Sequence, residues 1–244
     1  MYIFNHIPKT AGTSLIAIMQ DVFGKDRVST HIDITEDRDY EIDPEQFTPF
    51  VVVAGHFGVK WHARMGDRRW LTVLREPVDR VLSTYYFWRN VARPRPNAPY
   101  LDLAKTLFLN EFVSCGNRLV LQGISNGQTW QLADDLREKY RSVPESDALA
   151  IAKENLTRRF DFVGLSEHFD ESAARLRRYL GVPEKARCEV PRLNLTPDRR
   201  HASELRPSVI DNILELNRMD IELYRFAQEL WSQPDPGKSN GRPL

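Results

Sequence analysis

A short loop near the start of the chain has the residue types that hold an anionic group. Residues 8–14 read Pro-Lys-Thr-Ala-Gly-Thr-Ser and lie between an apolar segment and an amphipathic one. A turn of small residues that leads into a helix exposes backbone N–H groups beside the positive end of the helix dipole. Lys9 adds a positive charge, and the hydroxyls of Thr10, Thr13 and Ser14 add hydrogen-bond donors. The loop therefore predicts a cradle for phosphate or sulfate.

This loop is not a Walker A motif, because that motif places its lysine after the second glycine. Here Lys9 precedes Gly12. The alternative is an ordinary strand-to-helix turn with hydroxyl capping. The position of the loop after the first predicted strand favours the anion site, since ligands of open α/β sheets bind at the carboxyl ends of strands.

A second group of residues suits another anion at the same edge. Arg75 follows an apolar segment, Pro77 favours the start of a helix, and Ser83 comes about two helical turns later. Arginine offers a planar fork of donors to phosphate. The alternative is that Arg75 pairs with Glu76 or Asp79 while Ser83 only packs. A metal-dependent NTPase usually has an aspartate at this strand end, so an arginine there favours a nucleotide with an extra phosphate.

His56 is the candidate general base. It follows the apolar segment 50–54 and stands in the sequence Gly55-His56-Phe57-Gly58, whose glycines would allow a bulky ligand to approach closely. The usual imidazole pKa of about 6.5 allows the ring to accept a proton near neutral pH. The alternative is a structural histidine at a strand end. The roles of His6 and Glu167 stay open, and the spacing of the histidines does not indicate a metal site.

Alternating apolar and amphipathic segments indicate a three-layer α/β fold with a central parallel sheet. The predicted strands are 2–5, 27–32, 50–54, 70–74 and 160–165. The predicted helices are 13–23, 78–90, 144–158, 170–180 and 207–231, the last with a break near 217–220. Residues 92–142 depart from this alternation and predict a largely helical insertion that serves as a lid or a substrate wall. We expect a single domain over residues 1–231 and a disordered tail over 232–244, which is rich in Pro, Gly and Ser.

Composition excludes several classes of protein. The chain of 244 residues has 34 Lys+Arg and 34 Asp+Glu. This zero net charge argues against a protein that coats nucleic acid without sequence preference, because such a protein needs an excess of basic residues. A hydrophobic content of 41% is too high for a disordered chain. The sequence lacks a membrane-length apolar run and a signal peptide and has only two cysteines, so we expect a cytoplasmic protein with reduced thiols.

The zero net charge is the sum of unlike regions. Residues 36–43 are acidic, whereas residues 60–95 contain nine basic and three acidic side chains together with several aromatic rings. Such a stretch could bind an anionic ligand and stack on sugar rings. The alternative is a solvated charged surface.

The two anion motifs together resemble those of sulfotransferases that use 3′-phosphoadenosine 5′-phosphosulfate (PAPS). Residues 7–15 are similar to the 5′-phosphosulfate loop of that family, and residues 74–89 are similar to its 3′-phosphate motif. The Tyr-Tyr-Phe at 85–87 is most similar to the heparan-sulfate/uronyl 2-O-sulfotransferase branch, and residues 162–167 and 224–227 resemble the late strand and C-terminal helix of that branch. The resemblance implies a P-loop-kinase-like fold.

The resemblance also implies a role for each matching residue. Lys9 would contact the phosphosulfate and its bridging oxygen. The residues that would surround the 5′-phosphate are Thr10, Ala11, Gly12, Thr13 and Ser14. Arg75 and Ser83 would hold the 3′-phosphate, and Asn194 and Thr196 would close over the nucleotide. His56 would take the proton of an acceptor hydroxyl that attacks sulfur in line, and 3′-phosphoadenosine 5′-phosphate (PAP) would leave, with no metal required. The acceptor would be a glycan or another hydroxyl-bearing molecule, and an anionic acceptor is one option.

The chain departs from that branch in two functional motifs. The phosphosulfate loop of the branch ends in Ser-Thr-Thr, whereas this loop ends in Gly12-Thr13-Ser14. The branch has two histidines around a glycine, whereas Ala54-Gly55-His56 keeps only the second. Two other functions stay open. A small-molecule kinase with a P-loop would bind ATP and magnesium, and a non-catalytic protein would bind a nucleotide or a sulfated glycan without turnover. The sequence does not indicate the sugar, the position sulfated or the oligomeric state.

Overall fold

The computed structural model describes residues 1–32, 44–59, 65, 68–92, 98–135, 138, 141–183 and 200–233. In these ranges a central sheet of five strands has the order β2-β3-β1-β4-β5, and all four pairs of neighbours are parallel. The strands are β1 (Tyr2–Asn5), β2 (Val28–Ile32), β3 (Val52–Gly55), β4 (Arg69–Leu74) and β5 (Phe160–Leu165). The predicted parallel sheet is therefore confirmed. Its strands come from apolar segments without strict alternation, which is typical of strands that are buried on both faces.

Ten α-helices connect or cover the strands in the described residues. They are α1 (Gly12–Phe23), α2 (Pro77–Arg89), α3 (Pro99–Thr106), α4 (Leu109–Ser114), α5 (Arg118–Ile124), α6 (Gly127–Ala133), α7 (Glu145–Arg158), α8 (Phe169–Tyr179), α9 (Pro207–Leu216) and α10 (Arg218–Ser232). The predicted break near 217–220 is confirmed, because α9 ends at Leu216 and α10 begins at Arg218.

Successive strand residues point to opposite faces of the sheet and give the fold its three layers. Ile3, Val53 and Trp70 pack against α6, α7 and α10 on one face. Phe4 and Leu71 pack against α1 and α8 on the other face. The α/β class with helices on both faces of a parallel sheet is therefore confirmed.

The described part of the segment between α2 and α7 is largely helical, as predicted, and a lid or substrate wall built from α3, α4 and α5 stays a prediction. All seven residues of α6 are buried. Trp130, Leu132 and Ala133 belong to the same hydrophobic cluster as the sheet residue Trp70. Helix α6 is therefore part of the core beneath the sheet.

Two helix starts cap each other across the core. The side-chain oxygen of Asn126 accepts hydrogen bonds from the backbone N–H groups of Met219 and Asp220, in the first turn of α10. The carboxylate of Asp220 accepts from the N–H groups of Gln128 and Thr129, in the first turn of α6. Each helix thereby satisfies N–H groups that lack a partner within the other helix.

Some sequence predictions fall beyond the described residues. The proposed closing residues Asn194 and Thr196 lie outside them, as do residues 234–244 of the predicted tail. Helix α10 includes Ser232, so it extends one residue into the predicted tail. The single domain over 1–231 stays a prediction. No helix in the described ranges is both long enough and apolar enough to cross a membrane.

Candidate functional site

Three neighbouring strands bring the predicted residues to one edge of the sheet. Strand β1 lies between β3 and β4, and all three run in the same direction. His56 follows β3, the loop with Lys9 follows β1, and Arg75 follows β4. The predicted sharing of one edge is therefore confirmed.

The backbone of the first loop has the shape of an anion site. Lys9 and Ala11 have φ angles of 69° and 67°, in the left-handed region. Such a conformation costs a non-glycine residue on the order of 1–3 kcal/mol and is concentrated at functional sites. Ala11 is the N-cap of α1 and makes no side-chain capping bond. Left-handed residues in a turn make successive N–H groups converge on a concavity that suits anions.

The Thr10 hydroxyl was expected to donate to a bound anion, but it donates to the protein backbone instead. The residue is fully buried, and its hydroxyl donates to the carbonyl of Ile7 at 2.8 Å. Its own carbonyl accepts from the Ser166 hydroxyl at 2.6 Å. Thr10 therefore fixes the loop with its side chain, and its backbone N–H is the donor it can offer to a ligand.

Gly12 is required by a neighbouring side chain. A Cβ atom at this position would lie 2.1 Å from Cδ2 and 2.4 Å from Nε2 of His6. The missing side chain lets the imidazole of His6, which is 7% exposed, lie against the start of α1. Gly12 thus links the phosphate-type loop to the histidines described below.

One face of α2 lies along Lys9 and Arg75. The Arg75 guanidinium bonds the Asp79 carboxylate at 3.1 Å, and the Lys9 ammonium lies 3.7 Å from the centroid of the Phe87 ring. Asp79, Ser83 and Phe87 are spaced four residues apart and share a helix face. Ser83 therefore lies on α2 between the two cation contacts.

Arg75 is held in place through its backbone as well as its side chain. The side chain of Gln128 accepts from the Arg75 N–H at 2.9 Å and donates to the Arg75 carbonyl at 2.8 Å. The guanidinium also donates to the Lys9 carbonyl at 3.2 Å. The alternative ion pair with Asp79 does form, so an anion here would meet an arginine that already has a carboxylate partner.

Two other carboxylates lie beside Arg75. Glu76 caps α2 by accepting from the N–H groups of Val78 and Asp79, and burial raises the pKa of this carboxyl. Glu167 accepts from the Glu76 N–H at 3.1 Å and from the Tyr224 hydroxyl at 2.6 Å. Its Oε1 lies 3.9 Å from Nε of Arg75. The role left open for Glu167 in the sequence is therefore contact with the arginine motif.

The contacts of His56 fix which ring nitrogen is basic. Nδ1 lies 2.6 Å from the carbonyl oxygen of His6. A carbonyl oxygen only accepts, so Nδ1 carries the hydrogen and Nε2 of the neutral ring carries the basic lone pair. The same carbonyl accepts from the Gln131 side-chain amide at 3.1 Å. The rings of His6 and His56 lie 4.5 Å apart between centroids, so His6 positions His56 with both its backbone and its ring.

One expectation about the surroundings of His56 is wrong. A Cβ on Gly58 would lie 1.8 Å from the carbonyl oxygen of Asp134, so this glycine accommodates protein backbone rather than a ligand.

Two arginines of the basic stretch 60–95 contact groups inside the protein. Arg80 is 1% exposed and lies 3.7 Å from the buried Asp220 carboxylate, and Arg89 donates to the carbonyls of Ala104 and Leu107 at the end of α3.

Three residues of the site were missed in the sequence. They are Gln128, Gln131 and Tyr224. Gln128 contacts Arg75, 53 positions away, and Gln131 contacts Asn5, 126 positions away. Tyr224 contacts Glu167, which lies beside Arg75. The one available signal was a pair of glutamines in the otherwise apolar segment 127–133. Among the described residues, no group of three or more His, Cys, Asp or Glu side chains is arranged to hold a metal ion.

A comparison with protein-family models decides the family. The model described as the sulfotransferase family matches residues 2–227, which is nearly the whole chain. The chain belongs to the sulfotransferase family. The resemblance drawn from the two anion motifs is thereby confirmed.

Curated relatives of this sulfotransferase chain include heparan sulfate 2-O-sulfotransferases. Heparan sulfate 2-O-sulfotransferase 1 of Gallus gallus is 26% identical, over 93% of this chain and 69% of the relative. Heparan sulfate 2-O-sulfotransferase hst-2 of Caenorhabditis elegans is 25% identical, over 94% of this chain and 75% of the relative. Heparan sulfate 2-O-sulfotransferase 1 of Homo sapiens is 25% identical, over 93% of this chain and 69% of the relative.

Proposed function

We propose that this chain transfers a sulfuryl group from PAPS to a hydroxyl of a carbohydrate. The observation that carries the proposal is the junction of two cationic motifs, in which the Arg75 guanidinium donates to the Lys9 carbonyl at 3.2 Å. Two adjacent anion sites suit a nucleotide that carries one anionic group at each end of its ribose. The family of the chain supports the same chemistry.

The residues present fit such a donor. The 5′-phosphosulfate would lie in the loop 8–14, where Lys9, Ala11, Gly12, Thr13 and Ser14 surround the start of α1. Arg75 and Ser83 would hold the 3′-phosphate. Arginine is suited to a phosphate at the end of β4, where a metal-dependent NTPase would have a carboxylate. Closure over the nucleotide by Asn194 and Thr196 stays a prediction.

The geometry of His56 suits a general base. As the acceptor oxygen forms its bond to sulfur, Nε2 of His56 takes the hydroxyl proton, and the bond between sulfur and the bridging phosphate oxygen breaks. Lys9 and the N-terminus of α1 stabilise the negative charge that develops on that oxygen. The products are a sulfated acceptor, PAP and a protonated His56, which then releases its proton to solvent.

The carbohydrate acceptor is supported by the relatives, whose names specify heparan sulfate. An anionic glycan is therefore the first acceptor to test. Ala54 stands where the resemblance expects the first of two histidines. A panel of acceptors is therefore needed to identify the sugar and the position sulfated. A cytoplasmic location stays a prediction from the sequence.

The direct test is transfer of labelled sulfate from PAPS to a panel of anionic and neutral glycans by the wild type and His56→Ala. We expect transfer to at least one glycan, and loss of about 10²–10⁴-fold in rate without the base. PAP affinity should change by about twofold at most. His201→Ala removes an exposed histidine and serves as the matched control. An active His56→Ala variant would contradict the assigned base, and phosphate transfer from ATP would favour a kinase.

A further inference from the structure

Glu167 lies beside the arginine of the proposed 3′-phosphate site without a close bond to its Nε atom. The 3.9 Å between Oε1 of Glu167 and Nε of Arg75 is beyond hydrogen-bond range. Both oxygens of this carboxylate are occupied elsewhere. Oε1 accepts from the Glu76 N–H at 3.1 Å, and Oε2 accepts from the Tyr224 hydroxyl at 2.6 Å.

Tyr224 is the fixed end of this chain of contacts. It lies in α10, is 6% exposed, and its ring packs in the cluster beneath the sheet. Burial and the contact with Glu167 raise the pKa of the Tyr224 phenol well above its usual value. The hydroxyl therefore stays protonated at neutral pH and remains a donor to Glu167.

We propose that Tyr224 and Glu167 are positioning residues that set the orientation of Arg75, and with it the preference of the site for a nucleotide with a 3′-phosphate. The proposal rests on the proposed function, because it assigns the 3′-phosphate to Arg75. Neither Tyr224 nor Glu167 needs to touch the nucleotide.

The physical reason is competition for the guanidinium. The Glu167 side chain is 30% exposed, so without the Tyr224 hydroxyl it can rotate. If Glu167 moved closer, it could form a bidentate pair with Arg75. The carboxylate would then occupy the N–H donors that a phosphate would otherwise use. The first loop has separate supports, including the bond from the Ser166 hydroxyl to the Thr10 carbonyl. Binding of the 5′-phosphate should therefore change little.

The opposite end of β4 offers a matched control. Arg69 begins β4 and donates to the hydroxyl of Tyr179 at 3.4 Å, whereas Arg75 follows the end of the same strand. Tyr179→Phe removes a half-buried phenol oxygen next to an arginine, as Tyr224→Phe does near Arg75. Only Tyr224→Phe should alter nucleotide selectivity.

The experiment compares calorimetric affinities for PAP and adenosine 5′-phosphate (AMP) in the wild type, Tyr224→Phe, Glu167→Ala, the double variant and Tyr179→Phe. We expect the PAP-to-AMP affinity ratio to fall about five- to tenfold in Tyr224→Phe, with AMP affinity changed by about twofold at most. The double variant should match Glu167→Ala, because the loss of the Tyr224 hydroxyl acts by releasing the Glu167 carboxylate and has no further effect once that carboxylate is gone. Melting temperatures of the complexes confirm that each variant is folded.

The outcomes separate this inference from the function on which it rests. A wild type that binds PAP no better than AMP would overturn the proposed function and the inference together. A wild type that prefers PAP, with an unchanged ratio in Tyr224→Phe, would overturn only the inference. Equal losses of PAP and AMP affinity would show a general structural role. A lower PAP-to-AMP ratio in the double variant than in Glu167→Ala would contradict action through Glu167.

Discussion

Two regions of this chain use polar side chains for different purposes. The first is the donor edge, made of the loop 8–14, His56 and Arg75. The second is the insertion core, where α2, α6 and α10 meet around Arg80 and Asp220. At the donor edge, left-handed Lys9 and Ala11 store backbone strain beside partly exposed side chains. In the insertion core, Arg80 and Asp220 are 1% and 0% exposed and contact protein groups.

Two glutamines of α6 connect the insertion core to the donor edge. Helix α6 is fixed in the insertion core by Asp220, and its side chains then reach the donor edge. Gln128 bonds the backbone of Arg75, and Gln131 bonds the carbonyl that orients His56. Variants in the insertion core should therefore lower stability, variants at the donor edge should lower activity, and variants of the glutamines should lower both.

The largest effect should come from Asp220→Ala. The change leaves the Arg80 charge buried beside no carboxylate and removes the acceptor for two N–H groups of α6. Breaking a buried pair in this way costs about 3–5 kcal/mol of unfolding free energy. Chemical denaturation measures the loss, with the exposed Asp211→Ala as control. PAP affinity of the folded fraction should change by about threefold at most, and a stability loss below about 1 kcal/mol would contradict the comparison.

Lys9→Ala should show the reverse pattern. We propose that the Lys9 ammonium stabilises the leaving oxygen, so its removal should slow sulfate transfer by about 10²–10³-fold. Unfolding free energy should change by about 1 kcal/mol at most, since the lost contact with Phe87 is a single cation–π pair. Lys25→Ala at an exposed site is the control. Equal transfer rates in the two lysine variants would remove Lys9 from the mechanism.

Gln128→Ala should lower both quantities. The variant leaves the N–H and carbonyl of Arg75 without the bonds they make to this side chain. Each unsatisfied buried group costs about 1–3 kcal/mol of stability, and the displaced arginine should lower PAP affinity by about tenfold. Gln122→Ala, in α5 of the same insertion, is the control. Denaturation together with calorimetry checks both effects, and a stability loss with unchanged affinity would break the link between the regions.

The smallest effect should be a gain. Ala11 adopts a φ of 67°, which glycine reaches without a Cβ penalty. Ala11→Gly should raise the unfolding free energy by about 1 kcal/mol at most, because relief of strain exceeds the added flexibility of the unfolded chain. Thermal melting measures the shift. A clear destabilisation would show that the left-handed backbone is not a source of strain.

The sequence predicts the sheet, the main helices and the three loops of the donor edge because each depends on a local pattern. Apolar segments define the strands, and Lys9, Arg75 and His56 follow them directly. The supports of the site are not local. Gln131 contacts Asn5 and His6 across more than 120 residues, and the Tyr224 hydroxyl bonds Glu167, which lies beside Arg75. The sequence also could not show that the Thr10 hydroxyl bonds the Ile7 carbonyl, because a threonine in such a loop can bond either a ligand or the loop backbone.

The central claim is that the donor edge is a site for a nucleotide with two separated anionic groups. Calorimetric titration of the wild type and Arg75→Ala with PAP, AMP, ADP and ATP tests it most directly. We predict that the wild type binds PAP most tightly and that Arg75→Ala lowers PAP affinity to the level of AMP. Tighter binding of ATP than of PAP by the wild type would contradict the account.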